Sequence, residues 1–113
     1  MHELSVALGI VRIAEDETKK AKAKSVETIE LEIGTLAGIE FDSLEFVWPS
    51  AVKQTVLQNA KKKINIIQAK ALCLDCNHEF EIEKYYDSCP LCGSSLKGIL
   101  QGKELRVKTL EVI

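Results

Sequence analysis

The sequence predicts an α+β protein, with two helices, a small three-stranded sheet and a metal-binding segment inserted before the last strand. Three observations support this prediction. Apolar residues recur with a helical period near the amino terminus and then with a period of two. Four cysteines fall in two pairs within one short segment. A chain of 113 residues has room for one domain with a small satellite.

The first predicted elements are a helix and a strand. Over residues 4–14 the apolar side chains are spaced three and four positions apart, which is typical of an amphipathic helix. We expect this helix to continue to about Lys22. Over residues 25–34 apolar residues alternate with polar ones, which predicts a half-buried strand that ends at a glycine turn.

The later elements are less regular. Asp42, followed three residues later by Glu45, predicts a capping box at the start of a second helix. Because Pro49 removes a helical N–H, a start near Pro49 is the alternative. Residues 64–72 are predicted to form a second strand with a bulge between Ile66 and Ile67, and residues 104–113 a third.

Composition and charge exclude several classes of protein. The net charge of −2 and the pI near 5.7 argue against a dedicated nucleic-acid binder, which needs a clustered basic surface. No secretory leader opens the chain, and no apolar stretch is long enough to span a membrane. We therefore expect a cytoplasmic protein, in which cysteines are metal ligands more often than disulfides.

The cysteines form two CxxC pairs separated by twelve residues: Cys73, Cys76, Cys89 and Cys92. Two residues between thiols let one tight turn aim both sulfurs at one point, and two such turns supply four thiolates at about 2.3 Å from zinc. A filled tetrahedral site leaves no position for water, so the predicted role is structural. The predicted zinc ribbon covers residues 72–96, and residues 1–71 and 97–113 form the α+β domain.

Three alternatives for the cysteines remain open at this point. Two disulfides are disfavoured because no export signal is found. A thioredoxin-like redox pair is disfavoured because neither CxxC opens a helix in a βαβ unit. Rubredoxin-like iron uses the same four ligands, but an electron-transfer site would not explain the rest of the chain.

His2 is the second candidate metal ligand. Its imidazole can reach the chain's own amine and the adjacent backbone nitrogens, so that these groups close fused chelate rings around one ion. Such an all-nitrogen, tetragonal set favours nickel(II) or copper(II) over zinc(II). On its own, however, a histidine at position two is usually incidental.

Several segments together resemble one protein family. They are the opening MHELS (residues 1–5), IGTLAGIE (33–40), SLEF (43–46), the two CxxC motifs in order, and GKELRV (102–107). The chain resembles the HypA/HybF family over essentially its full length. The family fold has a nickel domain of two helices and three strands, with a zinc ribbon inserted before the last strand, and the same order follows independently from the periodicities.

The resemblance implies a nickel carrier. By this resemblance His2 is the principal nickel ligand, Met1 and Glu3 contribute to the site, and the four cysteines hold a separate structural zinc. The family hands nickel to the hydrogenase large subunit together with a GTPase partner, HypB, and some members serve urease. This chain departs from the family pattern at Pro49, and at Gly93, where certain urease-linked relatives have histidine.

The sequence therefore predicts a nickel metallochaperone and not an enzyme, as a monomer or weak homodimer without nucleic-acid or membrane partners. Only two histidines are present, all four cysteines are assigned to the predicted zinc site, and no Ser/His/Asp or phosphate-loop pattern occurs. His78 is expected to be a surface residue. The alternative function is a zinc-ribbon module that binds nucleic acid or protein, and the row Glu79, Glu81 and Glu83 opposes nucleic acid.

Overall fold

The computed structural model describes residues 2–113, so the predicted role of Met1 lies outside the described residues. The elements are α1 (His2–Lys20), β1 (Val26–Gly34), α2 (Phe41–Val52), β2 (Lys61–Ile67), β3 (Lys70–Cys73), β4 (Glu79–Glu81), β5 (Lys97–Gln101) and β6 (Leu105–Val112). The strands form two three-stranded sheets, ordered β2-β1-β6 and β4-β3-β5. The predicted α+β class, with two helices and a three-stranded sheet, is confirmed.

The chain divides into two compact units. The first contains the residues up to Leu31, Ile39–Asn65 and Arg106–Ile113, and the second contains Glu32–Gly38 and Ile66–Leu105. The first unit therefore holds both helices, and the second holds the cysteines. The domain boundaries predicted at residues 72 and 96 stay a prediction.

Helix α1 forms as its periodicity predicts. The buried positions are spaced three and four residues apart: Glu3, Ala7, Ile10, Ala14 and Thr18. The helix ends at Lys20, two residues before the predicted end. Lys22 adopts a left-handed φ of 54°, and the N–H of Ala23 donates to the Thr18 carbonyl at 3.0 Å. A left-handed residue, followed by an N–H that donates to the carbonyl five residues earlier, is the Schellman motif, which commonly ends α-helices.

Helix α2 differs from its prediction. Its N-cap is Glu40, which makes no side-chain cap hydrogen bond, so the capping box predicted for Asp42 and Glu45 is wrong. The alternative start near Pro49 is also wrong, because Pro49 lies inside the helix. The helix is held by packing against α1 through a buried face. That face consists of Leu44, Trp48, Ala51 and Val52.

The sheet of the first unit has one face towards α2 and one polar face. On β2, the Lys62 ammonium lies 5.1 Å from the centroid of the Trp48 ring and pairs with Glu45, both in α2. On β1, the Glu30 carboxylate accepts hydrogen bonds from Asn65 of β2 and Thr109 of β6. Since alternate residues of a strand point to opposite faces, the Glu30 network occupies the face that α2 leaves open.

The single strand predicted over residues 64–72 is in fact two strands. Strand β2 ends at Ile67 and β3 begins at Lys70, so the predicted bulge is replaced by a break at Gln68 and Ala69. At the break, the Ala69 N–H donates to the Thr35 hydroxyl at 2.9 Å, and the Gln101 amide donates to the Gln68 carbonyl at 2.7 Å. These tertiary hydrogen bonds end the strand without a glycine or proline.

The second unit is built around β3. Strands β4 and β5 both pair antiparallel with β3, with Leu72 opposite Glu79 and Gly98. Its core is small and includes two of the four cysteines: Ala69, Ala71, Cys73, Phe80, Ile82 and Cys89. Gly102 closes this unit with a φ of 117°, and a Cβ there would lie 2.4 Å from the Cβ of Ala69. Only glycine fits that approach.

Candidate metal centres

The two CxxC segments fold into turns with the same backbone pattern. In the first, the Cys73 N–H donates to the carbonyl of His78, and the Asn77 N–H donates back to Cys73, each at 2.9 Å. In the second, Cys89 donates to Ser94 and Gly93 donates back to Cys89, again at 2.9 Å. Asn77 and Gly93 occupy equivalent left-handed positions, with φ of 62° and 76°. Asparagine and glycine are the residues that tolerate this conformation best.

The two turns bring the four sulfurs together. Sγ of Cys73 lies 3.5 Å from Sγ of Cys92, Sγ of Cys76 lies 3.6 Å from that of Cys89, and all four atoms lie within 4.8 Å of one another. A disulfide would need about 2.05 Å. Four sulfurs at about 2.3 Å around a tetrahedral ion are about 3.8 Å apart, which matches the observed spacing.

The electrostatics of the cluster favour a bound cation. Burial raises the pKa of the Cys89 thiol, but N–H groups of Cys92 and Leu91 donate to its sulfur and bring the pKa down to about 7. At Cys76 the N–H of His78 lowers the pKa, but burial and the neighbouring thiols outweigh it and raise the pKa to about 12. The neighbouring thiols of Cys76 and Cys89 therefore resist joint ionisation unless a positive ion balances their charge.

His78 stands beside the cluster without joining it. The ring of His78 stacks on Phe80, with centroids 6.2 Å apart and an angle of 11° between the planes. Its carbonyl is the acceptor for Cys73 in the first turn. Its side chain therefore serves the packing of the ribbon, and the side chain is half-buried where the sequence predicted a surface residue.

Two of the predicted nickel residues, His2 and Glu3, lie in the first turn of α1. His2 is the first residue of the helix and is exposed. Within residues 2–113, the four cysteines are the one group of three or more His, Cys, Asp or Glu side chains close enough to hold an ion. A metal at His2 would therefore depend on backbone nitrogens more than on neighbouring side chains.

Glu3 is a buried carboxylate with a specific partner. Its side chain is 9% exposed, and Oε2 accepts a hydrogen bond from the N–H of Glu40, the N-cap of α2, at 3.1 Å. This bond lowers the pKa of Glu3 below its ordinary value. Sequence reasoning missed the role of Glu40, because the predicted helix start was Asp42 and no pattern links residues 37 positions apart.

A family comparison matches almost the whole chain. Residues 1–112 match the family model described as "Hydrogenase/urease nickel incorporation, metallochaperone, hypA". The chain is 43% identical over 112 residues to "Hydrogenase maturation factor HypA" of Parabacteroides distasonis, covering 99% of this chain and 97% of the relative. It is 42% identical over 110 residues to the protein of the same name from Francisella philomiragia, covering 97% of each.

Solved structures agree with this match. The solution structure of the Ni metallochaperone HypA from Helicobacter pylori superposes with a TM-score of 0.68 at 26% identity, covering 98% of this chain and 97% of that one. A second solution structure of a HypA protein gives a TM-score of 0.70 at 27% identity, covering 100% of this chain and 97% of that one. Among the described helices, none is both long and apolar enough to cross a membrane.

Proposed function

This chain belongs to the HypA family of nickel-incorporation metallochaperones, and from that premise we propose that it binds nickel(II) at its amino terminus and delivers it during maturation of a [NiFe] hydrogenase. The observation that carries the proposal is the family match over residues 1–112, which includes the opening Met1-His2-Glu3. The family is described as a metallochaperone, so the chain is a maturation factor; that it does not itself catalyse a reaction is part of the proposal.

In the proposed nickel site, the His2 imidazole binds together with the Met1 amine and the first backbone nitrogens. The position of His2 supports this arrangement, because the first four N–H groups of an α-helix have no partner within the helix. These nitrogens can lose their protons to a metal without breaking helical hydrogen bonds. A planar set of nitrogens favours nickel(II) over zinc(II), which gains nothing from that geometry.

The same helix position keeps the binding reversible. The amino end of a helix carries a partial positive charge, which opposes a cation. Nickel(II) must also displace protons from the imidazole and the amides, so acid should weaken its binding. Both effects suit a protein that must release its cargo to a recipient.

We assign Glu3 a positioning role in this site. Its carboxylate is occupied by the N–H of Glu40, which fastens the first turn of α1 to the start of α2. The backbone nitrogen of Glu3 remains a candidate nickel ligand, and in this way Glu3 contributes to the proposed site. The side chain then sets where His2 stands, while the metal is held by nitrogen.

For the four cysteines we propose structural zinc(II), held by Cys73, Cys76, Cys89 and Cys92 with no open position. The sulfur spacing fits a tetrahedral ion, and zinc is the usual ion for four thiolates in a ribbon without redox function. The partners we propose are a HypB-type GTPase and the hydrogenase large subunit, with urease as an alternative recipient. The proposed location is the cytoplasm.

The nucleic-acid alternative has little support. Strand β4 presents Glu79 and Glu81 to solvent, and phosphate groups would be repelled by them. A gel shift that persisted with a steep salt dependence would favour that alternative over nickel delivery.

The decisive experiment is a calorimetric nickel(II) titration of zinc-loaded, untagged protein at neutral pH. We expect one nickel per chain, lost in His2→Ala with zinc content unchanged. His78→Ala is the matched control, because it removes the other histidine and should leave nickel binding intact. An added glycine before Met1 should weaken binding, because it displaces the native amine.

Two outcomes would contradict the proposed nickel site. One is equal nickel binding by the native protein and His2→Ala. The other is loss of nickel binding in His78→Ala with zinc retained, which would move the site to the cysteine-bearing unit.

A further inference from the structure

Ser94 makes hydrogen bonds in both cysteine turns. Its carbonyl accepts the N–H of Cys89 at 2.9 Å, and its own N–H donates to the sulfur of Cys92, so its backbone is part of the second turn. Its hydroxyl donates to the carboxylate of Asp75, which lies in the first turn. A side-chain contact that includes no sulfur therefore joins the two turns.

Neighbouring hydrogen bonds orient this contact. The Ser94 hydroxyl also accepts the N–H of Leu96 at 3.1 Å, and the N–H of Leu74 donates to the carbonyl of Leu96 at 3.0 Å. A hydroxyl has one proton to donate, and here the acceptor of that proton is Asp75. Residues 74–75 of the first turn are thus bonded to residues 94–96, which follow the second turn.

The contact lies next to the two exposed cysteines. Asp75 immediately precedes Cys76, and Ser94 follows Cys92 by two positions. The N–H of Ser94 bonds the Cys92 sulfur in the same way as the N–H of His78 bonds the Cys76 sulfur. A displacement of Ser94 would therefore also displace the Cys92 sulfur. The two buried cysteines are held by the apolar cluster instead.

We propose that Asp75 is a positioning residue of the four-cysteine site: through Ser94 it holds the exposed sulfurs in place and slows the release of zinc(II). Zinc is lost only after a sulfur has moved away from it, and the contact restrains the backbone that carries the exposed sulfurs. A carboxylate is a stronger acceptor than a neutral oxygen, which favours this bond even at an exposed position. The proposal rests on the zinc assignment made above and does not depend on nickel binding.

Electrostatic repulsion alone would give Asp75 the opposite effect. Zinc(II) bound by four thiolates carries a net negative charge, and the carboxylate adds another negative charge close to it. If repulsion decided the outcome, removal of the carboxylate would make the site hold zinc more tightly. Asp75→Ala therefore separates the two roles by the sign of the change.

The test is the rate at which zinc-loaded protein gives up its metal to excess pyridylazoresorcinol, at one chelator concentration and under reducing conditions. Asp75→Ala should release zinc about tenfold faster than the native protein, the lower end of the usual effect for groups that orient metal ligands. Asp75→Asn keeps an oxygen that can accept the Ser94 proton, so its rate should stay within about threefold of the native rate.

Ser94→Ala provides the second variant. It should release zinc faster than Asp75→Ala, because it also removes the acceptor for the N–H of Leu96. The double variant D75A/S94A should be no faster than Ser94→Ala, because both changes break one contact. Cobalt(II) in place of zinc should show the visible absorption of a tetrahedral four-thiolate site in every variant, since no ligand is removed.

The matched controls are Glu79→Ala and Ser95→Ala, which remove a carboxylate and a hydroxyl at exposed positions of the same unit. Both should release zinc at the native rate. Release from Asp75→Ala at the native rate or more slowly would overturn the proposal, and so would single effects that multiply in the double variant. A native protein that holds no zinc would contradict the zinc assignment itself, and this proposal with it.

Discussion

Removal of the metal from the four-cysteine site should unfold the second unit and leave the first folded. The metal is removed with a strong chelator under reducing conditions. The buried cluster around the cysteines contains two large side chains that are not ligands, Phe80 and Ile82, with Leu36 and Ile99 partly buried against it. Burial of Phe80 and Ile82 contributes roughly 3–6 kcal/mol at about 1.5–3 kcal/mol each. Structural zinc contributes about 10–16 kcal/mol in comparable peptides, so the metal outweighs the core.

The assay is amide hydrogen exchange, followed residue by residue before and after chelation. The amides of residues 70–101 should lose protection, because β3 ends at Cys73 and β4 and β5 pair only with β3 in this sheet. The amides of α1 and of β1 as far as Leu31 should keep theirs, because the buried residues Ile10, Ile29 and Leu44 lie in the unit that contains no cysteine.

The control for this prediction is Leu91→Ser, which changes an exposed residue of the second turn that supplies no sulfur. It should retain one metal ion and full protection. If β3 stays protected in protein shown by elemental analysis to be metal-free, the reasoning is refuted and the ribbon is stable through its own packing.

Three further predictions concern single residues. Glu3→Ala should weaken nickel binding more than Glu3→Gln, because glutamine keeps an oxygen that can accept the N–H of Glu40. Equal nickel affinities of the two variants by calorimetry would exclude a positioning role. Gly102→Ala should lower the free energy of unfolding by roughly 2–6 kcal/mol, from backbone strain of about 1–3 and overpacking of about 1–3 kcal/mol. Denaturant titration measures this loss, and Gly98→Ala, where a Cβ meets open space, should lie within about 1 kcal/mol of the native value. The Asn65 amide lowers the pKa of Glu30, so the ionised carboxylate stabilises the fold above the ordinary carboxyl pKa, and this stability is lost as the pH falls through the lowered pKa. In Glu30→Gln the free energy of unfolding should therefore fall less steeply as the pH is lowered into the acid range. An unchanged acid dependence would count against this assignment.

Local patterns made much of this protein predictable. The helical spacing in α1 and the alternation in β1 each follow from one period of apolar residues, and both elements formed within about two residues of the expected bounds. The CxxC pairs predicted one cluster because each turn is local and the two turns share one core.

The features that could not be predicted depend on contacts between distant residues. Gln68 and Ala69 carry no turn signal, and the chain breaks there because Thr35 and Gln101 supply hydrogen bonds. Helix α2 begins at Phe41 without a side-chain cap, so the capping pattern around Asp42 was misleading. Hydrogen bonds between distant residues decided the first case and packing decided the second, and neither leaves a period in the sequence.

Each cysteine turn holds one buried sulfur and one exposed sulfur. Cys73 and Cys89 are buried, while Cys76 and Cys92 are exposed. In the proposed zinc-bound protein, a competing thiol or chelator would therefore meet Cys76 and Cys92 first and replace them one at a time, while the buried pair kept hold of the ion. Metal exchange should consequently proceed through mixed-ligand intermediates, at a rate that rises with chelator concentration and falls with the bulk of the chelator.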